Sequence, residues 1–263
     1  MDLKKLFGDK SLQKIVDEGL KEARVRAPMK STEHLRASEI VDVCPREEAL
    51  CARDHVTRKD VIPAKLARTF KFGRAFEKMF RDHLADVGIL IGTWQCQCGF
   101  VSTCDDKGLV RHKRPTHCKS CAETGKFEYL EEFSLDRLAN VGGHNDGFLH
   151  VNGEYIILEL KTCSARAYKE FKERPKENHI GQVQIYMKIH GYKRAVIWYF
   201  NKDSSEQTLH WIDADPVVTA HLLEKGTQVR HYFETGKIPQ RVCINAECPR
   251  AQKCAVRLAC FGE

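Results

Sequence analysis

The stretch GHNDGFLHVNGEYIILELK, residues 143–161, decides the fold prediction for this chain of 263 residues. It contains two apolar segments, Gly147 to Val151 and Tyr155 to Leu160, with Asn152-Gly153 between them. Asn-Gly is the strongest signal for a two-residue hairpin, because both residues tolerate the positive φ angles of a type I′ turn. The stretch therefore predicts an antiparallel β-hairpin.

Charged side chains lie at one end of this hairpin. Because side chains alternate along a strand, we expect Glu159 and Lys161 on one face, with Leu158 and Leu160 pointing into the core. Asp146, on the neighbouring strand, can reach the same place. Two converging carboxylates favour Mg²⁺ or Mn²⁺, which activates a bound water, and Lys161 is placed to orient that water. The alternative is an exposed Glu159–Lys161 ion pair that contributes less than about 1 kcal/mol.

Elements on both sides of the hairpin predict a mixed α/β chain. A strand at 127–133 is expected to form a meander with the hairpin, and residues 1–30 read as a charged helical lead-in. The other predicted elements are helical spacing over 37–53 broken at Cys44-Pro45, a helix over 72–87, a helix over 179–190, antiparallel strands at 195–200 and 208–212, and a helix over 216–234.

Composition limits the cellular setting. The net charge of +7 is a mild indication of a polyanionic partner such as nucleic acid. The N-terminus lacks an apolar signal core, and no segment reaches the roughly 18 apolar residues of a membrane span, so we expect a cytoplasmic protein with no membrane association. In a reducing compartment, the twelve cysteines are more often metal ligands than disulfides.

Cysteine pairs in residues 94–126 predict an inserted zinc ribbon. Cys96-x-Cys98 and Cys118-x-x-Cys121 are two short chelating pairs, and four thiolates complete a tetrahedral Zn²⁺ site. Such a small insertion cannot bury a core, so the metal would fold it. Its basic loop either contacts the DNA backbone or is solvated, and the insertion has three spare donors. The loop residues are Lys107, Arg111, His112, Lys113 and Arg114, and the spare donors are Cys104, His112 and His117.

The order of these motifs resembles the RecB-like branch of the PD-(D/E)XK nuclease superfamily. The resemblance spans roughly residues 35–260 and rests on Gly73 to Glu77, Gly143-x-x-Asp146, Glu159-Leu160-Lys161 and Gln182-x-x-x-Tyr186. It implies an α/β fold with a restriction-endonuclease-like core, in which helices flank a central mixed sheet. The zinc-binding insertion and a cysteine-rich metal clasp joining the N- and C-terminal regions would be added to that core.

The resemblance also implies residue roles. Glu77, Asp146 and Glu159 would bind the metal, together with the Leu160 carbonyl, and Lys161 would be catalytic. Gln182 and Tyr186, one helical turn apart, would steady the site and contact DNA; without the other motifs they read as an ordinary surface Gln and a half-buried Tyr. Many RecB-like members have a histidine where this chain has Glu77, and His83 is the nearest alternative.

The segment Cys44-Pro45-Arg46 resembles the N-terminal Cys-Pro-Arg motif of iron-sulfur RecB-like nucleases. In those proteins, one N-terminal cysteine and three C-terminal cysteines hold a [4Fe-4S] cluster. We assign Cys44, Cys243, Cys254 and Cys260 to it, with Cys248 as the replacement for Cys243. A structural zinc site built from the same thiolates is the alternative. Cys51 and Cys163 have no partner at chelating distance and are expected to be packing residues.

The expected organisation is a helical region at 1–93, the insertion at 94–126, the nuclease core at 127–236 and the cluster segment at 237–263. The expected function is a DNA exonuclease that acts on the ends of linear, single-stranded DNA, with the 5′ to 3′ direction favoured. The expected setting is recombination, repair or viral DNA processing, in which a recombination or replication protein is a possible partner. The alternatives are a nuclease that trims CRISPR spacer precursors, an endonuclease on the same core, and a non-catalytic zinc-ribbon DNA-binding module.

Overall fold

A computed structural model describes residues 9–20, 22–102, 111–122 and 127–262. The strands form a mixed central sheet and three smaller sheets. In chain order the strands are β1 (Glu22–Arg26), β2 (Leu35–Arg36), β3 (Arg58–Ile62), β4 (Leu90–Ile91), β5 (Thr93–Cys96), β6 (Val101–Ser102), β7 (Phe127–Leu130), β8 (Phe133–Asp136), β9 (Val141–His144), β10 (Gly147–Val151), β11 (Glu154–Cys163), β12 (Arg194–Asn201) and β13 (Gln207–Asp213).

Helices cover both faces of the central sheet, whose strand order is β13-β12-β11-β10-β4. The described helices are α1 (Asp9–Leu20), α2 (Pro45–Arg53), α3 (Ala64–Asp86), α4 (Ala165–Glu173), α5 (Glu177–His190), α6 (Pro216–Thr235), α7 (Pro249–Gln252) and α8 (Arg257–Phe261), with a 3₁₀ turn at Ile40–Asp42. One core contains side chains of α5 and α6, and the core on the opposite face contains side chains of α3. None of the described helices has the length and hydrophobicity needed to cross a lipid bilayer.

The predicted hairpin is confirmed. β10 and β11 pair antiparallel from Gly147 opposite Leu158 to Val151 opposite Glu154. The turn residues Asn152 and Gly153 have φ angles of 52° and 81°, as a type I′ turn requires. β11 continues to Cys163 and pairs in parallel with β12, which makes it the middle strand of the sheet.

The predicted meander is wrong. β7 pairs with β5, and β8 pairs with β9 in another small sheet, so the predicted 127–133 strand is divided between two sheets. No Gly, Pro or Asn separates the two strands in the sequence, so no turn residue signals this division. The helical lead-in is correct only for α1, since residues 22–26 form β1 and residues 1–8 lie outside the described part of the chain.

The remaining predicted elements are confirmed with small changes in their ends. α3 begins eight residues before the predicted helix, and α5, β12, β13 and α6 lie within two residues of the predicted bounds. The described residues of the insertion, together with β5 and β7, form a small three-stranded sheet with order β6-β5-β7. We refer to residues 93–102, 111–122 and 127–130 as the four-thiol module.

Candidate functional site

The Asp146 side chain hydrogen-bonds to the backbone of β11 just beyond the paired part of the hairpin. β10 pairs with β11 as far as Gly147 opposite Leu158. Two residues further along β11, the Leu160 N–H donates to Asp146 Oδ2 at 2.7 Å. The N–H and C=O of one strand residue point to the same side, so the Leu160 carbonyl also faces Asp146. Strand geometry thus places two of the expected oxygen ligands next to each other.

Glu159 is an acid with no exposed surface. Its Oε1 atom accepts a hydrogen bond from Lys161 Nζ, whereas Oε2 has no hydrogen-bond partner among the described residues. A buried polar atom without a partner costs about 1–3 kcal/mol, and more when it is charged. The alternative of an exposed ion pair is therefore wrong, and the unpaired oxygen is suited to a cation ligand.

Helix α3 brings Glu77 to the same place. Phe76 and Phe80 pack on Phe200 with ring centroids 4.6 and 4.4 Å apart. One turn before Glu77, the helix passes so close to β11 that a Cβ on Gly73 would lie 3.3 Å from Thr162 Oγ1. The predicted Gly73 to Glu77 motif therefore has a packing reason, because the glycine allows the close approach that directs Glu77 toward β11.

Two of the acids have raised pKa values. Burial and then the Asp146 charge raise the pKa of Glu159 to about 8 and that of Glu77 to about 7. Burial opposes the charge on Lys161, but the nearby carboxylates outweigh this effect and raise the Lys161 pKa. Three carboxylates therefore face one ammonium, with the Arg81 guanidinium as a further positive charge near Glu77. A divalent cation with oxygen ligands fits this donor set, because it supplies the missing positive charge.

Tyr186 and Gln182 lie behind the acids on α5. Tyr186 is 1% exposed and its hydroxyl donates to the His144 carbonyl at 2.8 Å. A Cβ on Gly143 would lie 2.8 Å from this hydroxyl, so the glycine is needed for the contact. Gln182 is also buried, beside the Tyr186 hydroxyl. Tyr186 can therefore brace the turn before Asp146, but it is too buried to contact DNA as the sequence suggested.

Two residues near the acids were missed by the sequence analysis. Arg81, one helical turn after Glu77, donates to the Asp146 carbonyl at 3.4 Å and pairs with Glu131 at 2.8 Å. His179 lies on α5 one turn before Gln182; burial and then the Lys161 charge lower its pKa to about 3. Their spacing of four and three residues from predicted site residues was the only available signal.

The four predicted zinc ligands converge. The Sγ atoms of Cys96 and Cys121 are 3.7 Å apart, and those of Cys98 and Cys118 are 3.6 Å apart. A tetrahedral ion with Zn–S bonds of about 2.3 Å sets its thiolates about 3.8 Å apart. Within the described residues, this is the only group of metal-ligand side chains whose donor atoms all lie within 4.8 Å of one another. The spare donors His112 and His117 are outside the group, and Cys104 lies outside the described residues.

Cys118 shows how the module prepares thiolates. Burial opposes its ionisation, but the backbone N–H groups of Cys121 and Ser120 and the neighbouring thiols outweigh burial and lower its pKa to about 7. The Ser120 N–H lies 3.4 Å from Cys118 Sγ. A ligand thiolate must be deprotonated, so these donors favour metal binding.

The tail cysteines surround a cavity against α2. Its lining includes Cys44, Cys243, Cys254 and Cys260, and Arg46 donates to Cys260 Sγ at 3.3 Å. These four thiols do not all lie within 4.8 Å of one another, as those of the module do. Wider spacing suits a four-iron cluster, because its four cysteine ligands bind four different iron atoms and not one ion.

Two other cysteines have no place at this cavity, whereas Cys248 lies beside it. The Cys248 sulfur accepts the Ala251 N–H, caps α7 and is hydrogen-bonded with the Cys243 thiol, so Cys248 stays the alternative to Cys243. Cys51 and Cys163 are buried in the two hydrophobic cores that contain α2 and β11. Their positions agree with the packing role expected for both.

No protein-family model matches the sequence, and no curated protein matches it significantly. The chain is similar to solved structures at low identity. The alkaline exonuclease LHK-Exo from Laribacter hongkongensis, in complex with dAMP, is 15% identical over 77% of this chain and 89% of its own, with a TM-score of 0.46. The protein SSO0001 is 15% identical over 95% and 93%, with a TM-score of 0.43. A phage related exonuclease from Haemophilus somnus 129PT is 16% identical over 39% and 58%, with a TM-score of 0.32.

Proposed function

We propose that this protein is a metal-dependent deoxyribonuclease that removes nucleotides from the ends of linear, single-stranded DNA. The observation that carries the proposal is the fully buried Glu159, whose Oε1 accepts from Lys161 while Oε2 is unpaired, with the Asp146 and Glu77 charges near enough to raise its pKa. Phosphodiester hydrolysis needs an activated water and positive charge at the phosphate. Carboxylates repel a polyanion unless a metal lies between them, so a DNA-binding protein without catalysis has no use for this cluster.

The chain's own residues have distinct tasks at this site. Glu77, Asp146, Glu159 and the Leu160 carbonyl would hold Mg²⁺ or Mn²⁺. When bound, such an ion lowers the pKa of a water and neutralises charge on the phosphate. Lys161 is kept protonated by the surrounding carboxylates, so it is a hydrogen-bond donor able to orient the water and stabilise a phosphate oxyanion.

The preference for ends, single strands and the 5′ to 3′ direction rests on the resemblance to iron-sulfur RecB-like nucleases. The net charge of +7 supports a polyanionic substrate. Recombination, repair or viral DNA processing is the setting we infer from the same resemblance.

We assign Zn²⁺ to the four-thiol module and a [4Fe-4S] cluster to Cys44, Cys243, Cys254 and Cys260. The spacing of the module thiols supports the first assignment, and the shared cavity supports the second. Both groups would be structural, because each joins segments that are distant in sequence. Structural zinc in the tail cavity is the alternative, and the visible spectrum distinguishes it, since only the cluster is coloured.

The test uses anaerobically purified protein, its Lys161→Ala variant and the control variant Lys188→Ala, which changes an exposed lysine on α5. Each is incubated with linear and circular single-stranded DNA in Mn²⁺ or in EDTA. We expect Mn²⁺-dependent loss of linear DNA alone by the wild type and the control, and none by Lys161→Ala. Cleavage of circles would indicate an endonuclease. Absence of cleavage by folded, metal-loaded protein would overturn the proposal in favour of a DNA-binding module.

A further inference from the structure

Arg111 joins the four-thiol module to the central sheet. Its guanidinium donates to both carboxylate oxygens of Glu132 at 2.8–3.1 Å and to the Tyr192 hydroxyl at 2.9 Å. It also lies 3.6 Å from the centre of the Phe148 ring. The expectation of a solvated or DNA-contacting loop is therefore wrong for Arg111; Lys107 lies outside the described residues.

The same guanidinium fixes the proton of His190. Arg111 Nη2 lies 3.1 Å from His190 Nδ1, and because a guanidinium only donates, Nδ1 is the acceptor. Burial and then the Arg111 charge lower the pKa of His190 to about 4, so the ring is neutral and carries its proton on Nε2. That proton is donated to Ser134 Oγ at 2.7 Å.

The hydrogen-bond network that begins at Arg111 ends at Asn145. Its fully buried side chain donates from Nδ2 to Ser134 Oγ at 3.0 Å and to the Glu132 carbonyl at 3.3 Å. Glu132 is thus held through its carboxylate by Arg111 and holds Asn145 through its carbonyl. Asn145 directly precedes Asp146, so two hydrogen-bonded routes run from the module to the acidic site.

We infer that Arg111 is a positioning residue for Asp146, through which the four-thiol module sets the geometry of the acidic site. The inference rests on the proposed function for its meaning in catalysis. All three guanidinium nitrogens are used, and a lysine could not reproduce that fork. Partners that orient metal-ligating groups typically change metal affinity or activity by about 10- to 100-fold.

The test compares Arg111→Lys and Arg111→Gln with Arg114→Gln, which removes another arginine of the module, one paired with Asp86. Zinc content, Mn²⁺ affinity by calorimetry, kcat and KM on linear DNA, and amide exchange at Leu160 are measured. For both Arg111 variants we expect full zinc content and Mn²⁺ affinity about 10- to 100-fold weaker. We also expect a lower kcat with little change in KM. The Leu160 amide, which donates to Asp146 Oδ2, should exchange faster. The control should match the wild type in zinc content, Mn²⁺ affinity, kcat and Leu160 exchange.

Ser134→Ala provides a second test, because it cuts the link between His190 and Asn145 without altering the module. It replaces the Arg111 variants if they lose zinc or unfold, and it should weaken Mn²⁺ affinity by a smaller factor than they do, because the route through Glu132 remains. Folded variants with wild-type Mn²⁺ affinity and wild-type Leu160 exchange would overturn the inference. If the wild type binds Mn²⁺ but cleaves no DNA, the proposed function fails while affinity and exchange still decide the inference. A wild type that binds no Mn²⁺ overturns both.

Discussion

The four-thiol module and the acidic site are assembled in opposite ways. The module takes its ligands from two short pairs, within a small sheet in which the thiols lie close together. The acidic site takes Glu77 from a helix and Asp146, Glu159 and Lys161 from a hairpin, with Glu159 fully buried and the other three partly buried.

This difference concerns where the folding free energy comes from. The strands of the module pack Trp94 and Phe127 into the core beneath α3, but its loops at 97–100 and 111–122 have few apolar side chains, so bound metal has to supply the stability of these loops. The acidic site is held by the packing of α3 and α5 on the central sheet, and the pKa values of Glu77 and Glu159 are raised there. Metal removal should therefore loosen the thiol loops of the first region and leave the second folded but inactive.

The largest effect is expected for Glu159→Gln. Losing one of three carboxylates should lower the rate of DNA cleavage by about 10³-fold, since metal-bound water and charge neutralisation supply several kcal/mol. The zinc content and the fold should stay the same. Glu154→Gln, on an exposed part of the same strand, is the matched control for single-turnover assays. A loss of less than about tenfold in Glu159→Gln would contradict the assignment.

Cys118→Ser should have a strong but local effect. We expect loss of bound zinc and fast amide exchange over residues 97–100 and 111–122, because three thiolates hold the ion poorly. The amides of β11 and β12 should stay protected. Cys163→Ala is the control, and it should retain zinc. Protection of 97–100 and 111–122 in the metal-free variant would show that these loops fold without the ion.

The pH dependence of Mn²⁺ binding should be steep. The pKa values of Glu159 and Glu77 are raised to about 8 and about 7, so metal must displace protons at neutral pH. Affinity measured by calorimetry should rise about tenfold or more from pH 6 to pH 8. Without metal, the native state binds protons that the unfolded chain has released between pH 4.5 and 8, so the free energy of unfolding should fall as pH rises through this range. A flat affinity profile would contradict this account.

The smallest effect is expected for Tyr186→Phe. It leaves the His144 carbonyl without its donor, which should lower the free energy of unfolding by about 1 kcal/mol. We also expect cleavage to slow by about tenfold, because the turn before Asp146 is less firmly held. Urea unfolding and steady-state kinetics measure the two effects, with Tyr155→Phe as a partly exposed control. Unchanged kinetics would remove Tyr186 from the support of the site.

Local signals predicted much of the fold. The Asn152-Gly153 turn, the helical periodicity over 72–87 and the apolar run at 195–200 each depend on neighbours in sequence, and all were confirmed. The division of 127–133 between two sheets depends on long-range pairing with β5 and β9, which leaves no local pattern. The burial of Glu159 was missed for a related reason, because a strand covered on both faces cannot be distinguished by alternation alone.

In the candidate site, neighbours in sequence could be grouped from the sequence alone, Glu77 came from the family resemblance, and other contacts between distant residues were missed. Glu159 and Lys161 follow from one strand, whereas Arg81 shows its contact with the Asp146 carbonyl only in the folded chain. Arg111 was read as part of a basic loop, since its partner Glu132 lies beyond the second thiol pair. Buried ion pairs of this kind need tertiary structure to be recognised.

The most direct measurement is an anomalous difference map from crystals soaked in Mn²⁺. The account predicts a manganese peak in contact with oxygens of Asp146 and Glu159, and it predicts zinc at Cys96, Cys98, Cys118 and Cys121 as an internal control. Zinc present at the thiols with no manganese beside Asp146 and Glu159 would contradict the claim that these acids form a metal site.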